Sequence, residues 1–455
     1  MIVMKFGGSS VANAERIRHV AQIVAPELKR KPVLVLSAMG DTTDHLLEAA
    51  EQALKEGKEA VSIDKIEALH LKTIEELGIP ASLAQEELQP LLEELRDLLV
   101  GIALIKELTN KTRDYLVSFG ERLSVRIVAA YFNALKIKAQ ALDAWDAGFL
   151  SNSKFSSAWL LKESWDLIPG KLHPLTDGGI LPVLTGFIAK DMNGAITTLG
   201  RGGSDLSATV IAVACGAEEV QVWKDVDGIL TADPRIVPNA RPLDAVTYEE
   251  AAEMAYFGAQ VLHPRAIQPC TKTGTPVLVK NSYNPQAPGT RIVAALDQRT
   301  GPVRVITSRK NVALVDIVST RMVGQYGFLA EVFSEFAKHG ISVDMVASSE
   351  VSISLTTDVA NDLEALKDDL SRIAAVTIKT GKAIVTIIGD VRRSSEILHR
   401  AFGVCTGLDI PVQMISQGAS KVNISFIVND TQAVAVVKGL HEDFFGGERK
   451  EECKK

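Results

Sequence analysis

Hydrophobic positions follow two regimes along the chain. Up to about residue 296, short runs of Val, Ile and Leu alternate with longer stretches at helical spacing, the pattern of an α/β domain whose largely parallel sheet is covered on both faces. The unbroken apolar runs 33–36, 181–184, 220–223 and 277–279 predict central strands, and each leads into polar or glycine-bearing residues. Ligands collect at the carboxyl ends of such strands. Between residues 43 and 116 the composition turns to Leu, Glu and Lys at helical spacing, broken at Pro80 and Pro90, which predicts a helical lobe.

After Pro302 the pattern changes. Residues 312–319 alternate as a strand, 327–339 have helical spacing, 341–358 read as two strands around a turn, and 362–373 are helical again. That is a β-α-β-β-α-β unit of ferredoxin-like type. It recurs: Ile341-Ser342-Val343-Asp344-Met345 resembles Ile410-Pro411-Val412-Gln413-Met414, and Val351-Ser352-Ile353-Ser354 resembles Val422-Asn423-Ile424-Ser425, at offsets of 69 and 71 residues. Two copies of one small module therefore follow the large domain. The expected divisions are 1–300, 303–380 and 381–446, with 447–455 a charged, frayed tail.

Composition narrows the partners. A chain of 455 residues exceeds one core's usual reach, and 46% hydrophobic with 23% charged residues is ordinary for a globular protein. No apolar run is long enough to cross a bilayer. Met1 to Phe6 runs straight into a strand pattern without the sections of a signal peptide, so the expected compartment is the cytoplasm or one reached after processing. Cysteines at 215, 270, 405 and 453 form no CxxC pair, arguing against a zinc site or a disulfide framework. The net charge is −7 and no Lys/Arg block interleaves with aromatics, which argues against nucleic acid. Small molecules are the expected ligands.

Three glycine-bearing turns then stand out. Thr197-Thr198-Leu199-Gly200-Arg201-Gly202-Gly203-Ser204-Asp205 lies between a strand pattern and an apolar helix, so its amides and the helix start can approach an anion. It lacks the Lys-Ser/Thr ending of a P-loop and the third glycine of a dinucleotide fingerprint. Lys5-Phe6-Gly7-Gly8-Ser9-Ser10 repeats the logic with a lysine placed to reach that anion, and Ser37-Ala38-Met39-Gly40-Asp41-Thr42-Thr43 follows another buried strand. Each alone also has a plain structural reading: a tight turn for 197–205, an edge lysine before an ordinary strand-to-helix turn for 5–10, and a helix N-cap for 37–43.

Together with SFGERLS at 118–124, WKDVDGILTADPR at 223–235 and FGAQVLHP at 257–264, these turns resemble aspartokinase, and the paired modules resemble the ACT domains that regulate it. VKNSYNPQAPGT, STRMVGQYGFLAEVF and VQMISQGASKVNIS are closest to monofunctional plant-type members and their bacterial relatives. The resemblance implies an amino-acid-kinase-type domain and transfer of the γ-phosphoryl of ATP to the β-carboxylate of L-aspartate, the first step towards lysine, threonine and methionine. It puts Lys5 on the transferring phosphate, with Gly7, Gly8 and Ser9 beside it and Arg201 and Asp205 completing the catalytic set. Arg201 would bind the aspartate α-carboxylate and Glu121 its ammonium, with Ser37, Thr43, Gly203, Ser204 and Asp205 around them. Lys224, Asp225, Asp227, Gly228, Leu230, Asp233 and Arg235 would serve the nucleotide, and magnesium would ride mainly on the triphosphate, so no protein metal ligand is named.

Two positions depart from the family pattern. Gln260 stands where many bacterial members have a lysine, for which Lys224 is the candidate replacement, and Leu230 stands where some have tyrosine. The lysine-sensitive members imply an L-lysine site at Met322, Gln325, Phe328, Leu329, Ser342, Val343, Asp344, Ser348, Ser349 and Glu350, with Asp344 and Glu350 for the ammonium groups. Threonine and S-adenosylmethionine stay open as effectors. ACT pairing implies at least a homodimer, with a tetramer compatible. A bacterial enzyme would be cytoplasmic and a processed plant-type enzyme would sit in the plastid stroma. The competing readings are another amino-acid kinase, such as acetylglutamate or glutamate 5-kinase, and a catalytically silent amino-acid sensor.

Overall fold

A computed structural model describes the chain except residues 257–261, 297–300, 323–325, 360–362, 418–421 and 447–455. Two compact units emerge: the first from 1–229, 243–248 and 262–296, the second from 230–242, 249–256 and the described residues from 301 onward. The single span 1–300 expected for the large domain is therefore interrupted twice. At the first interruption Ala232 and Val237 are buried in a core of the second unit and the Ile306 amide donates to the Thr231 carbonyl at 2.9 Å; at the second, Tyr256 Oη donates to Asp344 Oδ1 at 2.8 Å and Asn423 Nδ2 donates to Glu253.

The first unit is built on an eight-stranded sheet in the order Ala139–Leu142, Leu181–Thr185, Pro32–Leu36, Ile2–Phe6, Val220–Lys224, Val277–Asn281, Thr290–Val293, Ala245–Thr247. Only the Val277–Asn281/Thr290–Val293 pair is antiparallel. Ile2–Phe6, Pro32–Leu36 and Leu181–Thr185 are buried at every position, which is why their sequences do not alternate. The chain leaves the central strand Ile2–Phe6 and pairs on one side with Pro32–Leu36 and on the other with Val220–Lys224, with Phe6 opposite both Leu36 and Trp223. Gly7, Ser37 and Lys224 therefore emerge at one sheet edge, where the strand order reverses direction and ligands bind.

The expected helical lobe is present and longer than its composition implied. Thr42–Glu56, Asp64–Leu77, Gln89–Ile105 and the 25-residue Asn110–Ala134 form it, burying Leu46, Leu92, Leu95, Leu99 and Phe119 in one cluster with Met4 and Leu34 of the sheet. Pro90 does not break a helix; it sits in the first turn of Gln89–Ile105, where a missing N–H has no intrahelical partner to lose. A small sheet of Leu150–Ser151, Ile188–Asp191 and Ile196–Thr198 delivers the chain to the glycine-rich loop.

The second unit is a six-stranded antiparallel sheet in the order Val346–Ser348, Ser352–Asp358, Val303–Val318, Ala375–Gly389, Asn423–Asn429, Met414–Ser416. The modules are not consecutive blocks. Val312–Val318 pairs with the start of Ala375–Gly389, while Val303–Arg309 pairs with Ile384–Gly389 in the second module. Among the described residues that module has no final strand of its own, and residues 303–309 supply one from upstream. Val303 and Ile306 accordingly pack with Val385, Ile387, Ile397 and Leu440, whereas Ala313, Val315 and Ile317 pack under Phe328–Lys338 and Leu363–Leu370. The crossing points are Asn311 and Gly381, both left-handed, a conformation that Gly and Asn adopt readily. Among the described residues no helix is long and apolar enough to cross a membrane.

Candidate functional site

At the carboxyl edge of the central strands lies a cavity of about 690 Å³. Lys5 reaches it from the end of Ile2–Phe6 and is almost completely buried. Its Nζ stands 2.7 Å from Asp205 Oδ1, and Lys224 Nζ lies 3.4 Å from Asp205 Oδ2. Asp205 is in the first turn of Gly203–Ala214, where the helix start favours negative charge. Burial alone would raise its carboxyl, but the two ammonium groups hold it below the usual carboxylate range. Burial pushes the Lys224 ammonium down, against the pull of Asp205. Two cations on one anion leave a net positive charge where a phosphate could approach.

Glu121 faces the same cavity from Asn110–Ala134. Its side chain is buried, Oε2 has no hydrogen-bond partner among the described residues, and burial pushes the carboxyl up to about 8 against the amide of Ala38 and the charge of Lys5. A buried carboxyl oxygen without a protein partner is a position that a ligand's donor can fill. Gly120 is what lets this helix approach: a Cβ there would lie 2.6 Å from Ala38 Cβ.

The loops are stitched to one another. Ser37 Oγ donates to Ser204 Oγ at 3.2 Å, the Gly40 amide donates to the Gly8 carbonyl at 3.1 Å, and a Cβ on Gly8 would meet the Ala38 carbonyl at 2.9 Å. Thr43, Gly203 and Ser204 line the cavity with Lys5, Gly8 and Glu121. Gly7 is extended, with φ −76°, and needs no left-handed freedom. Ser9 is exposed and its carbonyl accepts from Tyr283 Oη at 3.2 Å. Arg201 is exposed at the rim, and among the described residues its guanidinium has no ion-pair partner.

The nucleotide set is divided. Lys224, Asp225, Asp227 and Gly228 follow from the strand Val220–Lys224 in the first unit, and Asp227 accepts from Asn281 Nδ2 at 2.9 Å. Leu230, Asp233 and Arg235 belong to the second unit, and within the first unit Lys224, Asp225, Asp227 and Gly228 are not among the residues that line the cavity. There the Arg235 amide donates to Asp233 Oδ1 at 2.9 Å, the local bond by which an aspartate forms a turn, and Arg235 Nη2 donates to Oδ2 at 2.7 Å. Gln260 lies outside the described residues.

Of the effector set, Gln325 also lies outside them. Met322 and Val343 pack against the first module's core and Leu329 is exposed; Phe328 is buried in that core, so its ring is a packing element. Ser342 accepts from Thr357 Oγ1 through its carbonyl at 2.8 Å, while Ser348, Ser349 and Glu350 form an exposed tip. Asp344 is the informative member. Its side chain is only 6% exposed; Oδ1 accepts from Tyr256 Oη at 2.8 Å and lies 3.1 Å from Arg309 Nη1, and Oδ2 has no partner among the described residues.

Sequence reasoning missed several cavity residues. Asn110, Arg113, Asp114 and Val117 precede Glu121 at helical spacing and share its face, a signal that period alone could have given. Phe187 lines the cavity with φ 68°, rare for an aromatic residue, held by its amide donating to Ser207 Oγ at 3.1 Å and its carbonyl accepting from Leu199. His263 of the FGAQVLHP segment packs on the loop so closely that a Cβ on Gly202, itself at φ 72°, would sit 2.6 Å from His263 Cβ.

Comparison with known proteins adds to this geometry. The amino acid kinase family matches residues 1–281, and an ACT domain family matches 315–367 and 385–444. Aspartokinase 1, chloroplastic, of Arabidopsis thaliana is 50% identical over 459 residues, covering 97% of this chain and 80% of that relative. Among solved structures, aspartokinase III of Escherichia coli in complex with aspartate and ADP (R-state) is 34% identical with a TM-score of 0.84, covering 98% of this chain and 100% of that one. The same enzyme in complex with lysine and aspartate (T-state) gives 0.81, covering 98% and 99%.

Proposed function

The chain belongs to the aspartokinases, kinases that join an amino acid kinase domain to ACT domains, and on that footing we propose that it transfers the γ-phosphoryl group of ATP to the β-carboxylate of L-aspartate, giving 4-phospho-L-aspartate and ADP. The observation that carries the proposal is the Lys5–Asp205–Lys224 charge cluster standing in the same cavity edge as the unpartnered Glu121.

A carboxylate with an ordinary pKa near ~3.9 is already ionised at neutral pH, so the acceptor needs no general base. Catalysis rests on bringing two anions together and cancelling their charge. Lys5 and Lys224 offer that cancellation, with the Gly8 amide beside them, and Asp205 holds both ammonium groups in place. The aspartate ammonium supplies the partner that Glu121 Oε2 lacks, and the Arg201 fork takes the α-carboxylate. Magnesium fits as a passenger of the phosphates. Asp114, with four donors on its oxygens, has no acceptor position left to offer the ion. An ADP-release assay across aspartate, glutamate and N-acetylglutamate tests the reading: turnover is expected with aspartate alone, and none with aspartate would overturn it.

The finer part of the proposal is feedback inhibition by L-lysine, an end product of the pathway that 4-phosphoaspartate opens. Asp344, buried with one free oxygen, offers a seat for an ammonium group, and Glu350 a second. Tyr256 ends the helix Tyr248–Tyr256 and donates to the other oxygen of Asp344, while Glu253 of that helix accepts from Asn423. Effector binding is thereby linked to a helix that precedes the FGAQVLHP segment. Pairing of ACT modules would place this site in a homodimer or a higher assembly. Millimolar lysine at saturating aspartate and ATP should lower the rate; an unchanged rate refutes the regulatory part only.

A further inference from the structure

Asp114 has no part in the chemistry above, yet it is the most heavily engaged carboxylate at the cavity. It is 1% exposed and lies seven residues before Glu121 on the helix Asn110–Ala134. Oδ2 accepts from the amides of Ser156 and Thr198, both at 2.8 Å. Oδ1 accepts from Thr198 Oγ1 at 2.8 Å and from Ser156 Oγ at 3.4 Å. Each oxygen takes one donor from either segment, so this side chain bolts three pieces of chain together. Thr198 ends the strand Ile196–Thr198, and the loop bearing Arg201, Ser204 and Asp205 begins at the next residue.

The aspartate site, as read above, needs a cation and an anion at a fixed separation: Arg201 for the α-carboxylate and Glu121 for the ammonium attached to the same carbon. Those two side chains come from different elements. The Leu199 amide donates to the Phe187 carbonyl and Gly203 packs against Phe187, but among the described residues the direct tie between the Glu121 helix and the start of the Arg201 loop is Asp114. We propose that Asp114 is a positioning residue for the amino-acid substrate, setting the placement of Arg201 relative to Glu121; the proposal rests on the aspartate-site reading. Its role is geometric rather than electrostatic, because all four contacts are to donors within the protein and none of its acceptor positions is left for a ligand. Burial also lifts its carboxyl above the ordinary range, so the charge is a burden that the donors offset.

A geometric brace predicts an unusual pattern of rescue. In Asp114→Asn the amide oxygen can accept from both backbone amides while the NH₂ donates to the hydroxyls of Thr198 and Ser156, which simply reverse their roles. Asp114→Ala has no such option and frees the loop. The experiment is steady-state kinetics of the full-length wild type, Asp114→Ala, Asp114→Asn and Thr198→Val, varying aspartate and ATP separately, with thermal unfolding of each. The expected result is a rise of about tenfold or more in KM for aspartate in Asp114→Ala, with KM for ATP within about twofold, since the loss concerns amino-acid placement. Asp114→Asn should recover the aspartate KM to within about threefold of wild type, and Thr198→Val, which loses one of the four donors, should fall between them. Asp114→Asn as impaired as Asp114→Ala would show that charge matters, and overturns the brace; so would an unchanged aspartate KM in Asp114→Ala. If Asp114→Ala does not fold, Thr198→Val and Asp114→Asn decide: a normal aspartate KM in the former or a raised one in the latter overturns it. Wild type that turns over no aspartate would refute the substrate reading itself, an outcome separate from all of these.

Discussion

Glu121 carries the clearest pH signature of any residue at the cavity. Its carboxyl is raised from 4.5 to about 8 by burial, so between those values the folded, empty protein keeps a proton that the unfolded chain has released. The stability this lends is full below the unfolded value and is lost as pH rises through about 8. An ammonium ligand favours the ionised form, so KM for aspartate should fall as pH is raised from about 6.5 to 8.5, and aspartate should raise Tm more at the upper end. Glu121→Gln should raise that KM at least about tenfold and flatten its pH dependence; a slope that persists in the variant would assign it to another group. Lys224 makes a second prediction. Lys224→Ala leaves the Lys5–Asp205 pair at 2.7 Å intact, so the loss should appear in ATP dependence and turnover, by about tenfold. If both stay at wild-type values, Lys224 does not replace the lysine missing at Gln260. Both residues could be found in the sequence only through their motifs; that Glu121 is unpartnered and that Asp205 is shared by two lysines are facts of burial and distance.

The elements were legible where period and length agree. The buried runs at 33–36 and 181–184 are strands, and the repeat after Pro302 is a pair of ferredoxin-like modules. Asn110–Ala134 was only half legible, because its buried positions include Ser118, Gly120, Glu121 and Ser124, a polar, active-site face that dilutes the apolar stripe. Gly120 shows what that face requires. On an ordinary helix Gly→Ala stabilises by about 1 kcal/mol, whereas here the new Cβ would lie 2.6 Å from Ala38 Cβ. Gly120→Ala is therefore expected to destabilise by about 1–3 kcal/mol and to depress turnover by pushing the 37–40 loop away; a rise in Tm would show that the loop yields freely. The helix Tyr248–Tyr256 supports a prediction about coupling. Tyr256→Phe removes the hydroxyl on Asp344 Oδ1 but leaves Oδ2, so lysine should still bind by calorimetry while its maximal inhibition falls. Loss of binding and inhibition together would make Tyr256 part of the seat rather than of the coupling.

At the scale of the molecule the two modules are interlocked. The second borrows residues 303–309, and the long strands Val303–Val318 and Ala375–Gly389 serve both. A chain ended at residue 380 would leave Val303–Arg309 without its partner strand and bare Val303 and Ile306, so it should aggregate or fail to fold on size-exclusion chromatography. A soluble, monodisperse product would mean that the first module stands alone. The fold class, the repeat, the order of the motifs and the family can all be read from the sequence, because these are written in local period and in short contiguous strings. It could not decide that residues 303–309 complete the second module or that 230–242 leaves the first unit, since strand pairing joins residues about 80 apart through backbone groups that every residue type shares. Nor could it show that Asp114, Thr198 and Ser156 form one brace. A carboxylate in a helix is commonly just solvated; only the packing that buries Asp114, and the four donors that converge on it, make it part of the site.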